Sequence, residues 1–162
     1  MTTEAETGKQ SLTGDCASAF LLLSRIPVTW HRFRDDQPPD FISSLWAFPL
    51  VGLVIGAAGG GVLAVGQALA LPTFAIAILS LATMIFLSGA MHEDGLADMA
   101  DGFGGGRDTE AKIHIMHDSR IGTYGVLGLT LTVAIRIGLY ITCLGIFSGW
   151  DLVLFMAVLQ AA

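Results

Sequence analysis

Residues 41–91 read FISSLWAFPLVGLVIGAAGGGVLAVGQALALPTFAIAILSLATMIFLSGAM and contain no Asp, Glu, Lys or Arg. A hydrocarbon layer about 30 Å thick takes a helix of roughly 20 apolar residues, so the run is long enough for two spans. A soluble core could not absorb it. The whole chain of 162 residues is 53% hydrophobic and 14% charged, whereas soluble domains carry about 25% charged residues.

Pro72 divides the run. The first span is expected at residues 44–71 and the second at 73–90. A third is expected at 125–147, and a fourth begins near Trp150. The fold class is therefore all-α, a polytopic membrane helical bundle of about four spans. The chain stops in the apolar run of residues 152–162, so the expectation is of a fragment, C-terminally incomplete. Gly52, Gly56 and Gly60 recur every fourth residue, a spacing that lets a second helix approach closely in lipid. The plainer alternative is that glycine is common in membrane helices.

Residues 1–14 are expected to be a disordered tail, since they offer nothing to bury. Residues 15–27 suit a short interfacial helix ending before Pro27. Residues 28–40 read as a loop broken by Pro38 and Pro39, with His31, Arg32, Arg34, Asp35 and Asp36 solvated. The apolar stretch 17–23 is too short to span and lacks a basic flank, so it is not read as a signal peptide.

Charge is concentrated in two places. Residues 1–40 hold six acids and four bases, residues 92–120 seven acids and three bases, and the rest only Arg136 and Asp151. The net charge of −6 argues against nucleic acid as a partner. Basic residues fall before the first span and after the second, so both segments are expected on the cytoplasmic side. Cys16 and Cys143 are far apart and suggest neither a disulfide nor a zinc site.

The chemistry is expected in residues 92–125. Asp94, Asp98 and Asp101 stand at i, i+4 and i+7, within one stripe of a helix. Like charges so placed repel unless a cation sits among them, and oxygen ligands at this density suit Mg²⁺, or Mn²⁺. Glu93 points elsewhere on an ideal helix but joins the set if the helix starts irregularly at Gly95. The alternative is a solvated acidic face. Gly102, Gly104, Gly105 and Gly106 suggest a turn whose N–H groups cradle an anion, with Arg107 and Lys112 adding positive charge; a plain flexible turn fits as well.

Residues 116–125 form a second constellation. Arg120 can fork onto phosphate oxygens, and Ser119, Thr123 and Tyr124 offer hydroxyls. Asp118 is a further ligand or orients a nucleophile; otherwise Asp118 and Arg120 merely cap the next helix. His92, Asp118 and Arg120 are the catalytic candidates. Gly104, Gly105, Arg107, Lys112, Ser119 and Arg120 are the candidates for substrate phosphate. His114 and His117 read as loop or interface histidines. Arg136, inside the third span, is either functional or snorkelling. Carboxylates for a divalent cation, a basic clamp and glycine turns beside a membrane describe phosphoryl transfer.

Four stretches resemble the cobalamin synthase family, the adenosylcobinamide-GDP ribazoletransferases. They are residues 25–27 (RIP), 48–56 (FPLVGLVIG), 89–102 (GAMHEDGLADMADG) and 115–125 (IMHDSRIGTYG). The last two are the specific ones. The resemblance implies an integral membrane enzyme that joins α-ribazole, or its 5′-phosphate, to adenosylcobinamide-GDP and releases GMP, with Mg²⁺ required. It maps the family's acidic motif to Glu93, Asp94, Asp98 and Asp101, and its second motif to Asp118, Ser119 and Arg120. His117 stands where the family commonly has Lys, and the family is longer, with further spans. Residues 15–162 are then one membrane-embedded catalytic domain whose segment 92–125 faces the cytoplasm. Its partners are these small molecules and the bilayer. Two competing readings are weaker. A CDP-alcohol phosphotransferase expects Arg shortly after Asp-Gly, where this chain has Leu96, Ala97 and Asp98. A cation transporter expects its carboxylates at the bilayer midplane, whereas this segment reads as interfacial.

Overall fold

The computed structural model describes residues 11–29, 31, 33 and 38–161. The expected disorder of residues 1–10 and the solvated Arg32, Arg34, Asp35 and Asp36 lie outside the described residues. Seven α-helices follow in order: α1 (Leu12–Leu23), α2 (Phe48–Ala68), α3 (Thr73–Ser88), α4 (Met91–Gly105), α5 (Thr109–Met116), α6 (Thr123–Ile146) and α7 (Trp150–Ala161). A short 3-10 turn, Ser43–Ala47, leads into α2. No strand occurs among the described residues.

The all-helical membrane architecture holds, with spans that differ in detail. Ser43–Ala68 and Thr123–Ile146 are long and apolar enough to cross a bilayer. The expected second span is shorter than 73–90. Helix α3 stops at Ser88, and Gly89 and Ala90 both take left-handed backbone, φ 69° and 59°. The chain turns by 89° there, so α3 and α4 together count as one bent span at most, giving two or three. Glycine takes this conformation without cost at a helix C-terminus; Ala90 does so at about 1 kcal/mol. Helix α7, expected to begin a fourth span, is a 12-residue apolar helix. Helix α1 starts at Leu12, capped by Ser11 Oγ on the Gly14 N–H, so the expected tail gives way to helix before residue 14.

Glycine spacing decides how α2 packs. A Cβ at Gly52, Gly56 or Gly60 would strike the α7 backbone around Gln160, Met156 and Val153. A Cβ at Gly59 or Gly66 would meet Met84 or Ile76 of α3. The Gly52, Gly56 and Gly60 face thus allows backbone approach, the close-packing alternative of the sequence reading, while Gly59 and Gly66 make room for α3 side chains. Ser80 Oγ donates to Gly59 O across 2.9 Å within that interface. Buried Asp15 ties α1 down, accepting from Ser43 Oγ and Trp46 Nε1, each at 3.1 Å. The Arg25 N–H donates to Leu87 O at 2.7 Å, which closes the end of α3 beside Gly89.

Helix α6 is capped at both ends by side chains from elsewhere. Gln67 Nε2 donates to Leu144 O at 3.1 Å and Phe147 O at 3.4 Å, terminal carbonyls that have no helical partner. At the other end Asp101 does the work. This second cap fixes the candidate site.

Candidate active site

Helix α4 lies antiparallel along the first half of α6. Glu93 meets Arg136, Ala100 faces Gly128, Asp101 meets Gly125, and Gly104 meets Tyr124. Two acidic side chains pin this arrangement. Glu93 Oε1 accepts from Arg136 Nη1 at 2.7 Å, and Arg136 Nη2 also reaches Tyr140 Oη at 3.5 Å. Eight residues further along α4, the Asp101 carboxylate accepts from the N–H groups of Gly122 and Gly125 at 2.7 and 2.8 Å. Gly122 is the N-cap of α6 and has no side chain to offer. Asp101 therefore supplies from another helix what a Ser or Asp N-cap would supply locally. A Cβ at either glycine would run into the carboxylate, which is why both positions are bare.

The acidic stripe is thereby divided. Asp101 is buried against α6 and is not free to join Asp94 and Asp98 around an ion. Among the described residues no three His, Cys, Asp or Glu side chains stand together as a metal-holding group. The expected four-carboxylate set of Glu93, Asp94, Asp98 and Asp101 is not assembled, because its two outer members hold helix to helix. Asp94 and Asp98 line a cavity of about 470 Å³ together with His117, Asp118, Ser119 and Arg120. Glu93 lines it too, and its Oε2 is buried without a hydrogen-bond partner among the described residues.

The loop 117–120 is ordered by its own polar groups. Asp118 Oδ1 accepts from the Arg120 N–H at 3.1 Å, a local turn typical of Asp. The Arg120 guanidinium forks onto the same carboxylate, Nη2 to Oδ2 at 2.7 Å and Nε to each oxygen at 3.2 Å. That fork holds the Asp118 carboxyl down at about 2, well below its ordinary 3.8, with the Arg120 N–H as the next contribution. Arg120 keeps 87% of its side chain exposed, so the fork is available to a ligand as well as to Asp118.

Several expected site residues fall elsewhere. His92, Arg107 and Lys112 are not on the cavity wall; Lys112 Nζ sits 4.8 Å over the Phe103 ring. The glycine turn is not a turn. Gly102, Gly104 and Gly105 belong to α4, where N–H groups pair with carbonyls four residues back and cannot cradle an anion. Their smallness serves packing instead: a Cβ would strike Met116 at Gly102 and the Tyr124 ring at Gly104. His117, read as a loop residue, is on the wall. The Glu93–Arg136 pair was also missed, though a lone arginine in an apolar helix asks for a partner and Glu93 lies off the aspartate stripe.

A model of the cobalamin-5-phosphate synthase family matches residues 15–162. The chain belongs to this family. The adenosylcobinamide-GDP ribazoletransferase of Azorhizobium caulinodans is 44% identical over 129 residues, 79% of this chain and 49% of the relative. The protein of the same name from a Sinorhizobium species is 40% identical over 148 residues, 91% of this chain and 55% of the relative. That of Bradyrhizobium diazoefficiens is 53% identical over 91 residues, 56% of this chain and 35% of the relative. The chain spans about half the length of the curated relatives it matches. No solved structure matches it.

Three of the four stretches that carry the likeness to the cobalamin-5-phosphate synthase family meet in space. Arg25 lies against Gly89, and residues 89–102 meet residues 115–125 through Asp101, Gly102 and the cavity. The fourth, residues 48–56, supplies Gly52 and Gly56 to the α2–α7 contact.

Proposed function

We propose that this chain carries the active-site portion of a Mg²⁺-dependent phosphotransferase, an adenosylcobinamide-GDP ribazoletransferase of the cell membrane. Its substrates are adenosylcobinamide-GDP and α-ribazole or its 5′-phosphate. Its N-terminal segment and residues 92–125 face the cytoplasm, as the distribution of basic residues supports. The observation that carries this reading is one cavity lined by Asp94 and Asp98 of α4 and by Asp118, Ser119 and Arg120 of the following loop.

The residues fit a magnesium ion. Mg²⁺ is commonly held by one or two carboxylates together with substrate phosphates and water. Asp94 and Asp98 are such a pair, one helical turn apart, and Glu93, whose Oε2 is buried without a partner among the described residues, belongs to the same lining. When bound, the ion supplies charge neutralisation to the pyrophosphate and its leaving group.

The chain's own groups do the rest. The acceptor hydroxyl oxygen of ribazole bonds to the phosphorus attached to cobinamide. The bridging P–O bond breaks, and its electron pair leaves with GMP. Arg120 turns its fork from Asp118 to the phosphate oxygens, where a planar guanidinium binds two at once. Asp118, released from Arg120, regains basicity and takes the hydroxyl proton. Ser119 donates a hydrogen bond to a phosphate oxygen. His117 offers a ring N–H to the same cavity.

The test is incubation of the purified protein with adenosylcobinamide-GDP, α-ribazole and Mg²⁺. GMP and a cobalamin are expected in equal amounts, and neither without the metal. Hydrolysis of adenosylcobinamide-GDP with no cobalamin formed, or no reaction in detergent and in lipid alike, overturns the assignment.

A further inference from the structure

A second cavity, of about 310 Å³, adjoins the first, and the two share Asp118 and Arg120 as a wall. Its character is different. No carboxylate of the Asp94–Asp98 pair reaches it, and its other acid, Asp101, is spent on the cap of α6. Ile115, Thr123 and Tyr124 form much of its lining. The Tyr124 ring rests on Gly104, where a Cβ would collide with it. The bare helix backbone thus seats the ring flat, and 54% of the residue stays exposed. Thr123, whose hydroxyl makes no hydrogen bond among the described residues, lines the same cavity.

We propose that this second cavity seats the nucleoside acceptor, its flat aromatic base on Tyr124 and its ribose toward Arg120. The proposal rests on the ribazoletransferase reading and adds where the second substrate lies. Transfer between two substrates needs two compartments that open on one reactive wall. One compartment here is acidic and suits a cation with a pyrophosphate. The other offers an aromatic face, an aliphatic floor and hydroxyls, the lining that recognises a base and a sugar. Its volume lies at the low end for small-molecule sites, about 300–1,000 Å³, which suits one nucleoside and not a corrinoid. Tyr124 is here a binding residue, since it touches substrate and takes no part in bond making.

The test measures KM for each substrate at saturating levels of the other in the wild type, Tyr124→Ala, Tyr124→Leu and Tyr124→Phe. Loss of one base–aromatic stack should raise the KM for α-ribazole about tenfold or more in the Ala and Leu variants. The KM for adenosylcobinamide-GDP should stay within about twofold, and Phe should restore the wild-type value, as stacking requires only the ring. Leu keeps bulk on Gly104, so it separates stacking from support of α4. Equilibrium dialysis with α-ribazole alone is the second measurement. Retention that depends on Tyr124, in a protein with no turnover, keeps the subsite and removes the transferase reading. Normal turnover with an unchanged α-ribazole KM in Tyr124→Ala and Tyr124→Leu overturns the subsite and leaves that reading intact. An equal rise in both KM values, or no retention by the wild type, also overturns it.

Discussion

Glu93 and Arg136 form an ion pair of 2.7 Å between α4 and the apolar helix α6, with their side chains 16% and 25% exposed. The pair sets the depth at which the acidic helix lies along α6, because Arg136 is 13 residues beyond Thr123, about 20 Å of helix. Asp101 fixes the other end. Between these two clamps lie Asp94 and Asp98, which line the cavity.

Removing one partner of this pair leaves a charge without a counter-ion in a poorly solvated place. Breaking a buried pair in this way costs about 3–5 kcal/mol, and replacing both partners by apolar residues is often neutral. With some solvent access remaining, Arg136→Met is expected to cost about 3 kcal/mol, and Glu93→Met/Arg136→Met much less. Thermal unfolding of the detergent-solubilised variants measures both. A single variant as stable as the wild type would show that the pair does not hold α4.

Asp101 and Asp98 should separate cleanly. Asp101→Ala removes the acceptor of two N–H groups at the start of α6, and loss of an N-terminal cap costs about 0.5–2 kcal/mol. Gly122→Ala should match it, since a Cβ there displaces the carboxylate. Both variants should unfold at lower temperature and accumulate less in membranes. Asp98→Asn should do neither. Equal melting temperatures for Asp98→Asn and Asp101→Ala would return Asp101 to the metal set.

The α2 span and the close-packing face of Gly52, Gly56 and Gly60 are legible in residues 41–91, because lipid leaves only composition, length and small-residue spacing to decide them; that α7 is the helix that packs there is not. The bend at Gly89 and Ala90 is not, since Ala90 gives no local sign of left-handed backbone. Periodicity puts Asp94, Asp98 and Asp101 on one stripe. It cannot say that the start of α6, 21 residues beyond Asp101, lacks a capping side chain and takes Asp101 for it. Residues 102–106 read as a turn because each glycine weakens a helix by about 1 kcal/mol. Contact of Met116 and Tyr124 with the bare backbone outweighs that penalty. The 117–120 loop is legible as a polar cluster, yet the fork of Arg120 on Asp118 depends on a turn that spacing alone does not specify.

That fork gives a pH prediction whose sign is set by the carboxyl. Asp118 is held at about 2 against an ordinary 3.8, so its folded value lies below its unfolded one. Stability from the pair is then fully present above about pH 4 and is lost as the pH falls through about 2. The pair is exposed to solvent, so the effect on global stability should be small. A carbon-13 titration of the Asp118 carboxyl should find its midpoint near 2, and Arg120→Gln should move it back toward 3.8. A wild-type midpoint already near 3.8 would mean that Arg120 is not on Asp118. At neutral pH Asp118 therefore stays ionised in the free protein.

Asp94 and Asp98 carry the metal proposal, and their conservative variants test it without disturbing the fold. Both line the cavity, and among the described residues neither side chain makes a cap or an ion pair. Asp94→Asn and Asp98→Asn remove charge and keep shape. Each should raise the Mg²⁺ concentration for half-maximal GMP release by about tenfold or more, the scale of one lost ligand charge at roughly 1.4 kcal/mol. Melting temperature in metal-free buffer should not fall, since repulsion one turn apart is relieved. Mn²⁺ should recover part of the loss, because it follows the same oxygen chemistry with higher affinity. An unchanged Mg²⁺ dependence in both variants would remove these carboxylates from the metal site.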